Sequence, residues 1–149
     1  MAINSKITKK AFAIYNVGLK LLFKRGDEFL FLTDAIGKHF DLPGGRIDDV
    51  EQTAPLTEII AREVEEELGK GIRYKLGKPV FQFRRYFESK GLPSFQTVYE
   101  AEYLSGEIRL SAEHSDWQWI NPRKIDLKEK QFFNKEEYLA FKKYFENLV

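Results

Sequence analysis

The stretch "PLTEIIAREVEEELG" constrains the fold more than any other part of the chain. Apolar residues recur in it at every fourth position, which places them on one face of an α-helix. These residues are Leu56, Ile60, Val64 and Leu68. Pro55 precedes the run and Gly69 follows it, and these residue types suit the first turn and the C-terminal end of a helix. The pattern therefore predicts a helix from about Leu56 to Leu68.

The same helix carries four glutamates within five positions, residues 63–67. At 100° per residue, Glu63, Glu66 and Glu67 lie within about a third of the helix circumference, beside the apolar face. Glu65 and Arg62 are predicted to point elsewhere. Like charges one turn apart repel each other, so the cluster needs a reason. A solvated acidic face is one interpretation, and a site for Mg²⁺, which takes carboxylate oxygens as ligands, is the other.

The segment "PGGRIDDVE" immediately before the helix favours a site. Its glycines prevent regular structure and let the backbone approach a ligand closely. Glu51 at the end of the segment adds a further carboxylate beside the helix. Backbone carbonyls and carboxylates from such a loop could complete a metal shell and admit phosphate oxygens.

Strands are predicted on both sides of this helix. They cover residues 17–23, 28–33, 79–89, 94–104 and 116–122. Two turns join them, "KRGD" at residues 24–27 and "KGLP" at residues 90–93, and "GEIRLS" at 106–111 is a short strand or a turn. A last helix over 134–149 has Asn134 as its N-cap and an apolar stripe of Tyr138, Phe141 and Phe145. Helices covering a mixed sheet make an α+β fold.

Length and composition fit a single domain over residues 1–149, because one core is what a chain of this size can bury. With 24 basic and 23 acidic residues, the net charge of +1 gives no field that would recruit a nucleic acid or an anionic membrane. The absence of cysteine excludes disulfides, thiolate metal sites and a cysteine nucleophile. No apolar run reaches the roughly 18 residues that a membrane span needs. We expect a cytoplasmic protein whose N-terminus is a polar tail.

Two groups of aromatic and imidazole side chains have alternative interpretations. The strand aromatics are Phe81, Phe83, Phe87, Phe95 and Tyr99. Most of them are expected to pack in the core, although some could stack on a nucleotide base. His39 and His114 are expected to be turn residues and not ligands.

The stretch "GGRIDDVEQTAPLTEIIAREVEEELG" resembles the Nudix box, G-x5-E-x7-R-E-U-x-E-E-x-G-U, in which U is an aliphatic residue. The residues at its fixed positions are Gly45, Glu51, Arg62, Glu63, Val64, Glu66, Glu67 and Gly69. The later "AEHSDWQWI" is also similar to the family. The resemblance implies an α/β/α sandwich with a mixed central sheet and a catalytic helix that follows a glycine-rich loop.

The chain departs from the box at two places and from the family pattern before the box at a third. Ten residues separate Glu51 from Arg62, three more than the family pattern has, so the loop before the helix is expected to be longer. Lys70 stands where an aliphatic residue is expected. The strand before the box ends in Thr33 and Asp34 instead of a basic residue, so phosphate contacts would fall to Lys38 or Arg46.

The resemblance also implies a reaction. Family members use water and Mg²⁺ or Mn²⁺ to hydrolyse a nucleoside diphosphate linked to another group, such as a nucleoside triphosphate, ADP-ribose, a dinucleoside polyphosphate or a nucleotide sugar. The implied metal ligands are Glu63, Glu67, the backbone carbonyl of Gly45 and, as a third ligand or partner, Glu66. A domain of the same fold that binds a nucleotide without cleaving it is the alternative, and a homodimer would be compatible with either.

The resemblance also implies a general base and a role for Arg62. The general base would be Glu113 or, second, Glu66, because the family recruits its base from different places. Arg62 would pair with a glutamate of the box, and Glu51 is the candidate. Without metal, at least one carboxyl of the cluster should have a raised pKa.

Overall fold

The computed structural model describes residues 11–86 and 91–148. These residues form seven strands, two α-helices and two 3₁₀ helices. The strands are β1 (Asn16–Arg25), β2 (Glu28–Asp34), β3 (Phe40–Asp41), β4 (Gly44–Arg46), β5 (Arg73–Arg85), β6 (Ser94–Ser105) and β7 (His114–Ile120). The α-helices are α1 (Leu56–Leu68) and α2 (Lys135–Glu146), and the 3₁₀ helices are Asp49–Glu51 and Glu129–Gln131. Within the described residues, no helix has the length and apolar character to cross a membrane.

The sheet is mixed, and it forks between its first two strands. Its main order is β3-β2-β1-β6-β5, with β1 and β6 parallel and the other paired strands antiparallel. β1 and β2 pair only next to their connecting turn, at Lys24–Phe29 and Arg25–Glu28. Beyond that point β1 pairs with the glycines of β4, and β2 pairs with β7. The fork therefore places β4 and the start of β7 on diverging branches.

Successive side chains of the inner strands point to opposite faces of the sheet, so a hydrophobic core forms on each face. On β1, Leu19, Leu21 and Phe23 pack with the buried side of α1, whereas Leu22 packs in the cluster that contains Phe141 of α2. The helices therefore cover opposite faces. The α/β/α sandwich with a mixed central sheet is confirmed.

Helix α1 has the predicted bounds, but its buried face is shifted. The residues of α1 that are buried are Ile59, Ile60, Glu63, Val64, Glu67 and Leu68. Leu56, which was expected in the apolar stripe, is 45% exposed. Two of the glutamates are therefore part of the buried face of this helix.

Two segments differ from the predicted elements. β5 begins at Arg73 and not at residue 79, because register shifts around Pro79 let this edge strand accommodate Gly77 and Pro79. Residues 106–111 form no strand, and there the Arg109 N–H donates to the Leu68 carbonyl at 2.9 Å, which covers the end of α1. Residues 1–10, 87–90 and 149, and with them the predicted end of the 79–89 strand and part of the "KGLP" turn, lie outside the described residues.

The strand aromatics mostly pack as expected. Phe83 is buried in the core beside α2, Phe81 packs against the same cluster, and Tyr99 packs against the cluster beside α1. Phe95 meets Tyr15 edge to face, with ring centroids 5.7 Å apart. Phe87 lies outside the described residues.

Two adjacent ion pairs fasten α2 to the end of β5. The predicted N-cap is confirmed, since Asn134 Oδ1 accepts the Glu137 N–H at 2.8 Å. The Glu137 carboxylate accepts from Arg85 at 2.6 and 3.1 Å, and these side chains are 1% and 7% exposed. Glu136 pairs with Arg84 at 2.7 Å, but these side chains are 39% and 43% exposed. The chain thus contains a buried pair and a solvated pair on consecutive residues of the same two elements.

We predict that Glu137→Ala lowers the free energy of unfolding by about 3–5 kcal/mol, because it leaves the buried Arg85 guanidinium without its partner on α2. Glu136→Ala removes the solvated pair and should cost much less. Urea denaturation of both variants and the wild type measures the difference. Equal losses would contradict the assignment of the buried pair as the main attachment of α2.

Candidate active site

Arg62 attaches the loop before α1 to the helix. Its Nε and Nη2 donate to the two carboxylate oxygens of Glu51 at 2.7 and 2.6 Å. The Asp48 N–H donates to the same carboxylate at 3.1 Å, and these hydrogen bonds lower the pKa of Glu51. The pair expected between Arg62 and Glu51 is therefore present. The turn that follows the Asp49–Glu51 3₁₀ helix, at residues 52–53, takes up part of the ten-residue separation.

The Arg62 guanidinium also reaches the acidic cluster of its own helix. It lies 3.0 Å from Glu63 Oε1 and 3.1 Å from Glu66 Oε1. The prediction that Arg62 points away from the cluster is wrong, because a long side chain can fold along the helix surface to partners one turn away. Arg62 thus compensates part of the negative charge that the helix concentrates.

The four glutamates at residues 63–67 of α1 divide into a buried and an exposed pair. Glu63 and Glu67 are buried, whereas Glu65 and Glu66 face solvent. Burial raises the pKa of Glu67 to about 8, against the opposing effect of Lys20 and His114. Burial also raises the pKa of Glu63, although Arg62 opposes that shift. The expected raised pKa is confirmed, with removal from water and not mutual repulsion as its main cause.

Each glycine of β4 allows a different close approach. A Cβ on Gly45 would overlap the carboxylate of Glu63, so this glycine brings backbone directly against a buried acidic group. A Cβ on Gly44 would overlap the Leu19 carbonyl, and the φ of Gly44 is +136°. Gly44 therefore permits the strand pairing, whereas Gly45 leaves room for the carboxylate of Glu63. The expectation that these glycines prevent regular structure is wrong, because both lie in β4 and pair with β1.

Asp41 is buried and receives three partners from three strands. Lys20 Nζ lies 3.2 Å and Arg85 Nη2 3.0 Å from Oδ1, and His114 Nε2 lies 2.9 Å from Oδ2. Burial alone would raise the pKa of Asp41, but Lys20, Arg85 and His114 hold it well below its usual value. Lys20 also donates to the carbonyls of Leu42 and Gly44 at 3.2 and 3.3 Å.

Sequence reasoning missed Asp41 and Lys20. Lys20 lies within the apolar run of β1 and has the same strand parity as the buried Leu22. An interior lysine at such a position requires an anionic or carbonyl partner, so this signal was available. Asp41 carries no comparable signal, because its partners are distant in the sequence.

His114 connects Asp41 and its partners to α1. Its side chain is 3% exposed, and its Nδ1 lies 3.3 Å from Glu67 Oε2. Burial disfavours the imidazolium, but the hydrogen bond to Asp41 and the charges of Asp41 and Glu67 outweigh it and raise the pKa of His114. The interpretation of His114 as a turn residue is wrong, because the turn ends at Glu113 and His114 is the first residue of β7. His39 lies in the connection between β2 and β3, just after the turn at residues 35–37.

Glu113 is exposed, but it lies at the same place. One of its carboxylate oxygens, one of Glu67 and a ring nitrogen of His114 lie within 4.8 Å of one another. The Ala35 N–H donates to the Glu113 carbonyl at 3.0 Å, so the turn after β2 is attached beside it. Lys38 is exposed in that turn, and Arg46 is exposed at the end of β4. Both basic side chains are accessible to solvent.

The residues of this site fit a divalent cation. Glu67 Oε2 and His114 Nδ1 are buried, and neither has a hydrogen-bond partner within residues 11–86 and 91–148. Buried polar atoms are normally satisfied, so two such atoms side by side require a ligand or a functional reason. Carboxylate and imidazole groups are the usual ligands of divalent metals in proteins.

Comparison with known proteins identifies the family. The model of the NUDIX domain matches residues 14–141, so the chain belongs to the Nudix family, a class of hydrolases that act on pyrophosphate bonds. A comparison with curated proteins found no significant match.

Solved structures share the fold at low sequence identity. A UDP-X diphosphatase has a TM-score of 0.63 and 20% identity, with 96% of this chain and 70% of that chain covered. A MutT protein from Methanosarcina mazei Go1 has a TM-score of 0.67 and 24% identity, with 92% and 94% covered. An ADP-ribose pyrophosphatase from Streptococcus suis has a TM-score of 0.58 and 14% identity, with 88% and 92% covered.

We predict that substitution by alanine has contrasting effects at the two glycines of β4. Gly45→Ala should leave the fold intact, because the overlapping group is the end of a flexible side chain, but it should displace the Glu63 carboxylate and weaken Mn²⁺ binding. Gly44→Ala should destabilise the protein, because its Cβ meets backbone at a positive φ. Thermal unfolding with and without Mn²⁺ separates the two effects. Unchanged Mn²⁺ stabilisation in Gly45→Ala would exclude Glu63 from the metal site.

The raised pKa of Glu67 predicts how stability depends on pH in EDTA. Between about pH 5 and 8 the folded protein retains a proton that the unfolded chain releases near the usual carboxyl pKa, so stability falls as the pH rises. Glu67→Gln removes the contribution of Glu67 and leaves that of His114, whose raised pKa acts in the same direction. The variant should be more stable than the wild type at pH 8, on the order of 1–3 kcal/mol, with a smaller difference at pH 5.

Urea denaturation at both pH values measures this difference. Glu65→Gln on the exposed side of α1 is the matched control and should follow the wild type. An equal loss of stability in Glu67→Gln at both pH values would show that Glu67 is ionised in the metal-free protein.

Proposed function

We propose that this protein is a pyrophosphohydrolase that depends on Mg²⁺ or Mn²⁺ and cleaves a nucleoside diphosphate linked to another group. The observation that supports this function best is the burial of Glu67, with a free carboxylate oxygen, on the helix of the Nudix box. An isolated buried carboxylate is costly, and it is retained where a cation compensates it.

Glu63, Glu67 and the Gly45 carbonyl would hold the cation, and Glu66 would be a third ligand or a partner at the edge of the site. A bound dication neutralises charge that develops on diphosphate oxygens and lowers the pKa of a coordinated water. Glu66 already pairs with Arg62, which favours the role of partner. Arg62 holds Glu51 and Glu63 in register and so orients the cluster before substrate binds.

Glu113 is the first candidate for the general base. In hydrolysis the water oxygen bonds to a phosphorus, the bridging P–O bond breaks, and the water proton passes to the base. Glu113 suits this role because it is accessible to solvent and has a carboxylate oxygen within 4.8 Å of a Glu67 oxygen. Glu66 is the second candidate, because its carboxylate already accepts a hydrogen bond from Arg62 Nη1 at 3.1 Å.

Arg46 and Lys38 would contact the phosphates of the substrate. Arg46 follows Gly45 directly, and Lys38 belongs to the turn that is attached to Glu113 through Ala35. Both side chains are exposed, and Arg46 extends from the β4 strand that lies against Glu63. They can therefore approach an anionic substrate from the two branches of the forked sheet.

A substrate panel tests the proposed function. We expect turnover, with Mg²⁺ or Mn²⁺, of at least one member of a panel of nucleoside triphosphates, ADP-ribose, dinucleoside polyphosphates and UDP-linked diphosphates, measured as release of nucleotide and phosphate. The names of the structural neighbours motivate the inclusion of ADP-ribose and UDP compounds. Absence of turnover on every member with either ion would favour a nucleotide-binding domain.

On the substrate that is turned over, Glu67→Gln should lower kcat/KM by about 100-fold or more, because it removes the buried anionic ligand. Glu65→Gln changes a glutamate of the same acidic run on the exposed side of α1, and it should retain nearly the wild-type rate. Equal rates in the two variants would show that the buried and exposed glutamates do not differ in function.

A further inference from the structure

An atom of the predicted ligand Glu67 and an atom of His114, which lies outside the predicted ligand set, converge without bonding to each other. His114 Nδ1 and Glu67 Oε2 are 3.3 Å apart, yet their geometry makes no hydrogen bond. Both are buried, and within the described residues neither has another partner. A nitrogen and an oxygen that lie close together without a hydrogen bond are arranged like two ligands of a common third atom.

The separation agrees with that of two ligands on one metal ion. Protein nitrogen and oxygen ligands lie about 2.1 Å from a transition-metal dication, so two adjacent ligands are about 3.0–3.4 Å apart at octahedral or tetrahedral angles. The 3.3 Å between His114 Nδ1 and Glu67 Oε2 falls in this range. Glu113 contributes one carboxylate oxygen as a third ligand atom within 4.8 Å of the others, on the solvent side, and its second oxygen is left for the role of general base.

Asp41 determines which nitrogen of His114 is available. Lys20 and Arg85 hold Asp41 as a carboxylate, which can only accept a hydrogen bond. His114 Nε2, at 2.9 Å, must therefore carry a proton and donate it to Asp41. Nδ1 is then the nitrogen that can ligate a metal, and a carboxylate behind a histidine is the usual arrangement at metal centres.

We propose that Glu67, Glu113 and His114 form a three-ligand site for a transition-metal dication, with His114 Nδ1 as a nitrogen ligand. Imidazole suits transition metals, whereas Mg²⁺ prefers an all-oxygen shell, so the site selects an ion such as Mn²⁺ over Mg²⁺. The inference deepens the proposed function by naming the ion class and a ligand outside the Nudix box. The inference depends on the proposed function only where it gives the bound metal a role in turnover.

Electron spin-echo spectroscopy of the whole protein with substoichiometric Mn²⁺ tests the nitrogen ligand directly. A ¹⁴N coupling of the size given by a directly bound imidazole is expected, and it should change to a ¹⁵N pattern in uniformly labelled protein. The chain contains only two histidines, which makes the signal assignable. Bound Mn²⁺ without nitrogen coupling would overturn the inference, whether or not the variants fold.

Variants assign the coupling to one histidine. His114→Gln should abolish it and weaken Mn²⁺ binding, measured by calorimetry, by about tenfold or more, with Mg²⁺ binding nearly unchanged. His39→Gln is the matched control, because His39 packs beside Phe133 and contributes no atom to the three-ligand cluster, and it should retain the coupling. Loss of the coupling in His39→Gln, or equal weakening of Mg²⁺ and Mn²⁺ in His114→Gln, would overturn the inference.

These results are distinguishable from those of the substrate panel. A nitrogen coupling from His114 without turnover supports the metal site and contradicts the pyrophosphohydrolase. Turnover with bound Mn²⁺ that lacks nitrogen coupling supports the pyrophosphohydrolase and contradicts the site.

Discussion

The arrangement of the strands depends on the contacts of one buried carboxylate, that of Asp41. It lies at the end of β3 and binds Lys20 of β1, Arg85 of β5 and His114 of β7. Removing one partner from a buried charged group is far more costly than the net stability that such a group provides. Asp41 therefore requires all these strands to hold one arrangement, and this specificity accounts for a charged group in the interior.

The same group links the helices to the site. Arg85 extends from Asp41 to Glu137, so the position of α2 is tied to β3. On the other side His114 extends from Asp41 to Glu67 of α1. The carboxylates of α1 thus face partners that the rest of the fold holds in place, which is the condition for a preorganised metal or phosphate site.

Local sequence patterns predicted the elements that depend on local interactions. The bounds of α1 follow from apolar spacing between Pro55 and Gly69, and the resemblance to the Nudix box anticipated the pair of Arg62 with Glu51. The start of β5 was missed because Gly77 and Pro79 are typical of turns, and only the register with β6 shows that the strand continues through them.

The polar interior could not be predicted in the same way. His114 lies 73 residues from Asp41 in the sequence, and Glu137 lies 52 residues from Arg85. No periodic pattern connects residues at such separations, so the sequence predicts neither contact and indicates only a turn at His114. Only Lys20 was detectable, as a lysine with interior parity in an apolar strand.

The central claim is that the buried face of α1 is a metal site, and anomalous diffraction tests it most directly. Crystals of the wild-type protein soaked in Mn²⁺ would be measured on both sides of the manganese absorption edge. We predict an anomalous peak within bonding distance of Glu67 Oε2 and of His114 Nδ1. Anomalous peaks confined to exposed carboxylates, with Glu67 making no metal contact, would contradict the claim.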